Sequence, residues 1–157
     1  MIRQRVPDKA MRKITIFTDG GSRGYPGQAA VGFLFCNEKG QCFKEYSEYL
    51  GDNLTNNEAE YQALILSLQK FKAVFGKKLA ANSEITIKSD SELLIKQLNG
   101  EYKLLDEKIQ QLFLKIWNLK LDFKKVKFTL ISRDKNKDAD RLVNEALDSK
   151  DRTQKLL

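Results

Sequence analysis

The spacing of apolar residues changes period several times along this chain, and each change marks an element. Ile14-Thr15-Ile16-Phe17-Thr18-Asp19 is a β-branched and aromatic run that reads as a strand, with turn-formers from Gly20 to Gly27 behind it. Ala30 to Phe35 and Gln41 to Tyr49 read as two more strands, joined by the hairpin signal Asn37-Glu38-Lys39-Gly40. From Thr55 to Phe75 the period becomes helical, with Tyr61, Leu64, Ile65 and Leu68 at i, i+3, i+4 and i+7. Glu84 to Ser89 alternates as a short strand, and Glu92 to Leu98 forms a short helix stopped by Asn99-Gly100. A longer amphipathic helix is expected over Leu105–Leu121, with Leu105, Ile109, Leu112, Phe113 and Ile116 on one side. Val126 to Ser132 is a fifth strand. Asn136 is the expected cap of a last helix that carries Leu142, Val143, Ala146 and Leu147.

The order β-β-β-α-β-α-α-β-α predicts an α/β fold, a five-stranded mixed sheet with helices on both faces. Its first three strands can form an antiparallel meander, and the later ones need helical crossovers. Ligands in such sheets gather at the carboxyl ends of the parallel strands. Residues 1–13, which lack periodicity and carry Arg3, Arg5, Lys9, Arg12 and Lys13, are expected to be a basic, flexible arm. Residues 14–149 form one domain and 150–157 a C-terminal tail.

Composition narrows the chemistry. Among 157 residues there is no histidine, which removes Ser-His-Asp, Cys-His and His-zinc mechanisms together. Any hydrolysis must then rest on carboxylates, lysines, hydroxyls or a hard metal ion. The net charge of +7 is compatible with a polyanionic partner. No apolar run approaches the roughly 18–20 residues of a membrane span, and the basic N-terminus lacks a secretory stretch, so a cytoplasmic protein without a membrane partner is expected. In that compartment Cys36 and Cys42, which flank the second hairpin turn, are expected to be reduced.

Asp19 and Asp90 end the first and fourth strands, where the carboxyl-end rule places a site. Taken singly, Asp19 reads equally well as a turn former and Asp90 as an N-cap. In Thr55-Asn56-Asn57-Glu58-Ala59-Glu60, Thr55 and Glu58 match a capping box, which leaves Glu60 without a structural task at the edge of the buried stripe. In the last helix Asp138 complements the helix dipole, so Asp140 is the favoured functional acid. Carboxylates converging from several elements repel one another unless a cation neutralises them. All-oxygen ligands select a hard ion, Mg²⁺ or its substitute Mn²⁺, and two such ions about 3.5–4 Å apart suit phosphodiester hydrolysis.

At these motifs the chain resembles the type 1 ribonuclease H family, from residue 13 to about 148. Four blocks in order carry the resemblance: Thr18-Asp19-Gly20-Gly21-Ser22 with Tyr25-Pro26-Gly27, Thr55-Asn56-Asn57-x-x-Glu60, Ser89-Asp90-Ser91, and Asn136-x-x-x-Asp140-x-Leu142. The resemblance implies a ribonuclease H-like fold and an endoribonuclease that hydrolyses the RNA strand of RNA/DNA hybrids with two Mg²⁺ ions, leaving 5′-phosphate and 3′-hydroxyl ends. It implies metal-binding roles for Asp19, Glu60, Asp90 and Asp140. It also implies substrate contacts from Gly20, Gly21 and Ser22 on RNA 2′-hydroxyls, from Asn56 and Asn57 in the minor groove, and from Thr55 on a DNA phosphate. The expected partner is the hybrid, with double-stranded RNA as a further candidate, and the expected state is a monomer.

Three departures from the family pattern stand out. The histidine that many members carry before the last helix is absent, and Arg133 resembles the arginine that short, archaeal-like members have there. The basic protrusion is missing between Gly100 and Leu105, so Lys120, Lys124, Lys125, Lys127 or the arm are left to supply affinity. Tyr25 stands where asparagine is frequent. A binding module that had lost catalysis would break a carboxylate position, and none is broken. A relative with only three carboxylates would lack Thr55-Asn56-Asn57.

Overall fold

Strand-forming alternation and a central apolar helix determine the layers seen in the computed structural model, which describes residues 12–156. Strand β1 (Arg12–Gly24), β2 (Gly27–Cys36) and β3 (Cys42–Leu54) form the antiparallel meander. Helices α1 (Asn56–Phe75) and α2 (Lys77–Ala81) lead to β4 (Ser83–Ser89); α3 (Glu92–Leu98) and α4 (Glu107–Lys120) lead to β5 (Lys125–Leu130). A 3-10 turn at Arg133–Lys135 precedes α5 (Lys137–Leu156). The sheet order is β3-β2-β1-β4-β5, with β4 parallel to β1 and β5 parallel to β4. Crossovers through helices are what parallel neighbours require.

The two faces of the sheet are covered unequally. Ile14, Ile16, Val31, Phe33, Phe35, Ile85, Ile87 and Val126 pack with Tyr61, Leu64, Leu68 and Phe71 of α1 and with Ile109, Leu112 and Ile116 of α4 in one large core. Within it the Tyr61 hydroxyl donates to Gln97 Oε1 at 2.8 Å, so α1 and α3 are joined without an orphaned polar group. On the other face α5 rests on two small clusters, Leu34 with Cys36, Ala139 and Leu142, and Ala30 with Val143 and Leu147. Gly32 allows that approach, since a Cβ there would sit 2.5 Å from the Ala139 carbonyl oxygen.

Several expectations are corrected. Asp106 caps α4 by accepting from Lys108 and Ile109 N–H groups, so Leu105 lies outside the helix and is 84% exposed rather than part of its apolar stripe. Helix α2 was not expected. The fifth strand stops at Leu130, and the stretch 150–157 is not a tail through Leu156 but the last turns of α5. Arg12 and Lys13 open β1, while the rest of the expected arm lies outside the described residues. Cys36 and Cys42 face each other across the β2–β3 hairpin and are joined as a disulfide, contrary to the expected free thiols.

Candidate active site

Each carboxylate is delivered by a different element. Asp19 sits in β1 opposite Gly32 of β2, just past the last β1–β4 pair at Phe17 and Lys88. Asp90 follows the last residue of β4, beside Ser91, whose hydroxyl caps α3 by accepting from Leu94 N–H. Glu60 comes from the second turn of α1, which Thr55 starts by accepting the Glu58 N–H at 3.1 Å. The capping is one-sided: Glu58 Oε1 accepts a hydrogen bond from the Thr55 hydroxyl at 3.2 Å rather than from the Thr55 backbone N–H. Strand and helix meet tightly here, because a Cβ on Gly20 would lie 2.2 Å from the Ala59 carbonyl oxygen. That contact lets the Gly20 N–H donate to Glu60 Oε1 at 2.6 Å.

Asp19, Glu60 and Asp90 each offer an oxygen within 4.8 Å of the others. Burial, then the charges of Asp90 and Asp140, raises the Asp19 carboxyl from 3.8 to about 7. Glu60, buried, is pushed well above its ordinary value, first by desolvation and then by Asp19. Among the described residues the only cation paired with this cluster is Arg133, whose Nε lies 3.7 Å from Asp90 Oδ2 on a side chain that is 92% exposed. The cluster is thus under-neutralised, all-oxygen and partly desolvated, a donor set that fits a hard divalent cation.

Asp140 stands in the first turn of α5, exposed at the edge of the cluster, near enough to raise the Asp19 pKa. Its place depends on Asn136. The Asn136 carbonyl accepts the Asp140 N–H, while its buried side-chain amide donates to the Thr18 carbonyl at 2.9 Å. That side chain ties α5 to β1 beside Asp19 instead of capping the helix as expected.

One cleft of about 630 Å³ is lined by Asp19, Gly20, Gly21, Ser22, Asn56, Asn57, Glu60, Asp90, Arg133 and Asp140. Thr55 is not among its lining residues, nor are Lys120, Lys124, Lys125 and Lys127. Asn56 Oδ1 accepts the Ser22 N–H at 2.7 Å, fixing the glycine-rich strand end to the start of α1. Its side-chain NH₂ is left for another acceptor. The Asn57 side-chain oxygen is buried without a partner. Arg23, Ser91, Leu93 and Asn144 also line the cleft and carried no role in the sequence reading. Arg23 stood one residue beyond a recognised block, but its partners are more than 120 positions away.

Comparison with known proteins gives consistent results. Residues 17–146 match the family described as Reverse transcriptase-like. Ribonuclease HI of Halobacterium salinarum is 37% identical over 142 residues, covering 90% of this chain and 67% of that protein. Bifunctional protein Rv2228c of Mycobacterium tuberculosis is 34% identical over 138 residues, 87% of this chain but 36% of that longer protein. The crystal structure of LC11-RNase H1 in complex with an RNA/DNA hybrid is similar with a TM-score of 0.82 and 42% identity, covering 87% of this chain and 97% of that one.

Proposed function

The chain belongs to the type 1 ribonuclease H family, and on that premise we propose that it is an endoribonuclease cutting the RNA strand of RNA/DNA hybrids by a two-metal-ion mechanism, leaving 5′-phosphate and 3′-hydroxyl ends. The convergence of Asp19, Glu60 and Asp90 within 4.8 Å, with Asp140 at the rim, is the observation that carries this reading. When bound, a pair of Mg²⁺ ions, or Mn²⁺ in their place, supplies the Lewis acidity that lowers the pKa of an attacking water and stabilises the leaving oxygen.

The chain's own residues do the rest. Glu60, fixed by the Gly20 N–H, presents its carboxyl oxygens to the same cleft as Asp19, Asp90 and Asp140. Arg133, exposed beside Asp90, orients a phosphate or the departing strand. The Asn56 amide and the Asn57 side chain read the hybrid from its minor groove, and Ser22 with Gly20 and Gly21 meets the RNA 2′-hydroxyls. Thr55, spent on capping α1, contacts a DNA phosphate only from outside the cleft.

The test incubates the protein with end-labelled RNA/DNA hybrid, single-stranded RNA, duplex RNA and duplex DNA, each with Mg²⁺, Mn²⁺ or chelator, and with Asp90→Asn as control. Metal-dependent cleavage of the RNA in the hybrid, lost in the variant, is expected. Hybrid binding without cleavage under either metal would leave a binding module as the better account.

A further inference from the structure

The tip of the β1–β2 hairpin forms one rim of the cleft and is held from two sides. On the α1 side the bond is Asn56 to the Ser22 N–H. On the α5 side it is Arg23, whose guanidinium donates to Asp151 Oδ2 at 2.7 Å, to Asp148 Oδ1 at 2.6 Å and more weakly to Asn144 Oδ1 at 3.4 Å. Gln28, just past the turn, adds a bond to Gln154. The fork geometry of a guanidinium makes two charged partners a fixed arrangement rather than a loose pairing.

The placement of these groups gives them a job. Asp19 and Arg23 lie on the same face of β1, about 13 Å apart at ~3.3 Å per residue. Asp140, Asn144, Asp148 and Asp151 follow one another at helical spacing along one side of α5. That side of α5 therefore runs from the carboxylate cluster at one end to the hairpin tip at the other. Asp148 and Asp151 lie beyond residue 146, where the family match ends. The tip they hold carries Tyr25, 85% exposed at the mouth of the cleft. As stabilising ion pairs these contacts count for little, since the three side chains are 39–53% exposed.

We propose that Asp148 and Asp151 are positioning residues that, through Arg23, fix the hairpin tip as the rim on which the hybrid is seated. The proposal rests on reading the cleft as the hybrid site. The chemistry at Asp19, Glu60 and Asp90 does not depend on the clamp, but the ordering of the rim does. Without the clamp, hybrid binding must order the rim at its own cost.

The experiment compares wild type, the double variant Asp148→Asn/Asp151→Asn, and Arg23→Lys. It measures KM and kcat on a hybrid, hybrid affinity by fluorescence anisotropy in chelator, and Tm. For the double variant KM and the dissociation constant should rise about fivefold, with kcat within about twofold of wild type and Tm lower by less than about 5 °C. Arg23→Lys, which keeps the charge and loses the fork, should fall between. If the double variant fails to fold, the single variants Asp148→Asn and Asp151→Asn should each show part of the rise. Unchanged KM with lowered Tm would reduce the clamp to a structural tie and overturn the proposal. A lower KM would overturn it too, showing that the two acids restrain Arg23 from a phosphate. Wild type that neither binds nor cleaves the hybrid would instead remove the reading of the cleft beneath it.

Discussion

In the absence of divalent metal, this protein should lose stability as the pH rises from about 5 to 8. The Asp19 carboxyl stands at about 7 in the folded protein against 3.8 for an unperturbed aspartate. Folding therefore takes up a proton between those values. The contribution to stability is fully present below about pH 4 and is lost as the pH climbs through 7. Each pH unit in that interval is worth about 1.4 kcal/mol, so Asp19 alone sets a ceiling of about 4 kcal/mol. Water entering an open cleft reduces this, and about 2 kcal/mol is the working figure. Glu60, raised in the same direction, acts with the same sign. The chain has no histidine, so no imidazole titration overlies that window. The assay is urea or thermal unfolding in chelator across the range, for wild type and Asp19→Asn. Wild type should lose about 4–8 °C in Tm from pH 5 to 8. The variant should show a flatter profile and exceed wild type at pH 8. Saturating Mg²⁺ should restore wild type there by binding only the folded state, and should leave the variant nearly unmoved. A flat wild-type profile, or one shared by Asp19→Asn, would refute the reasoning.

Other perturbations probe the same neighbourhood. Glu60→Gln keeps an oxygen for the Gly20 N–H and replaces a buried carboxyl that is costly to ionise, so Tm in chelator should hold or rise while kcat on a hybrid falls at least ~100-fold. Gly20→Ala drives a Cβ into the Ala59 carbonyl and should cost about 1–3 kcal/mol in urea unfolding; wild-type stability would mean that β1 and α1 separate more easily than their packing indicates. Asn136→Ala leaves the Thr18 carbonyl buried without its donor, which should cost about 1–3 kcal/mol and raise the Mg²⁺ concentration needed for half-maximal cleavage.

Much of the architecture was legible because period and capping agreed with tertiary need. Helix α3 matches its expected bounds, Glu92–Leu98, since Ser91 and Asn99-Gly100 mark both ends. The meander and the parallel crossovers followed from element order. Leu105 was misread because an apolar residue in phase with a helix looks the same on either side of a cap, and Asp106 decides the boundary. Helix α2 has too few residues for a period to show. At the site, Asp19 and Asp90 stood out by their places at strand ends, and Glu60 was separable from Glu58 by asking which acid already had structural work. Asn136 was not, because the amide that can cap a helix can equally donate to a distant carbonyl. Arg23 escaped notice for a related reason: its acceptors lie 125 and 128 positions later in the chain, and only the folded topology brings them together. The pairing of Cys36 with Cys42 was missed because the expected compartment favoured free thiols over the closeness that a hairpin turn gives its flanking residues.

The unequal covering of the sheet has a consequence for how this protein fails. Asp19, Glu60 and Asp90 belong to elements built around the large core, whereas Asp140 belongs to a helix seated on two small clusters. Segments with few apolar contacts open at a lower free energy than the global transition. Amide hydrogens of α5 should accordingly exchange before those of β1, β4 and α1. On warming, the set of four carboxylates would shrink to three while the rest of the fold persists, and inactivation would run ahead of melting.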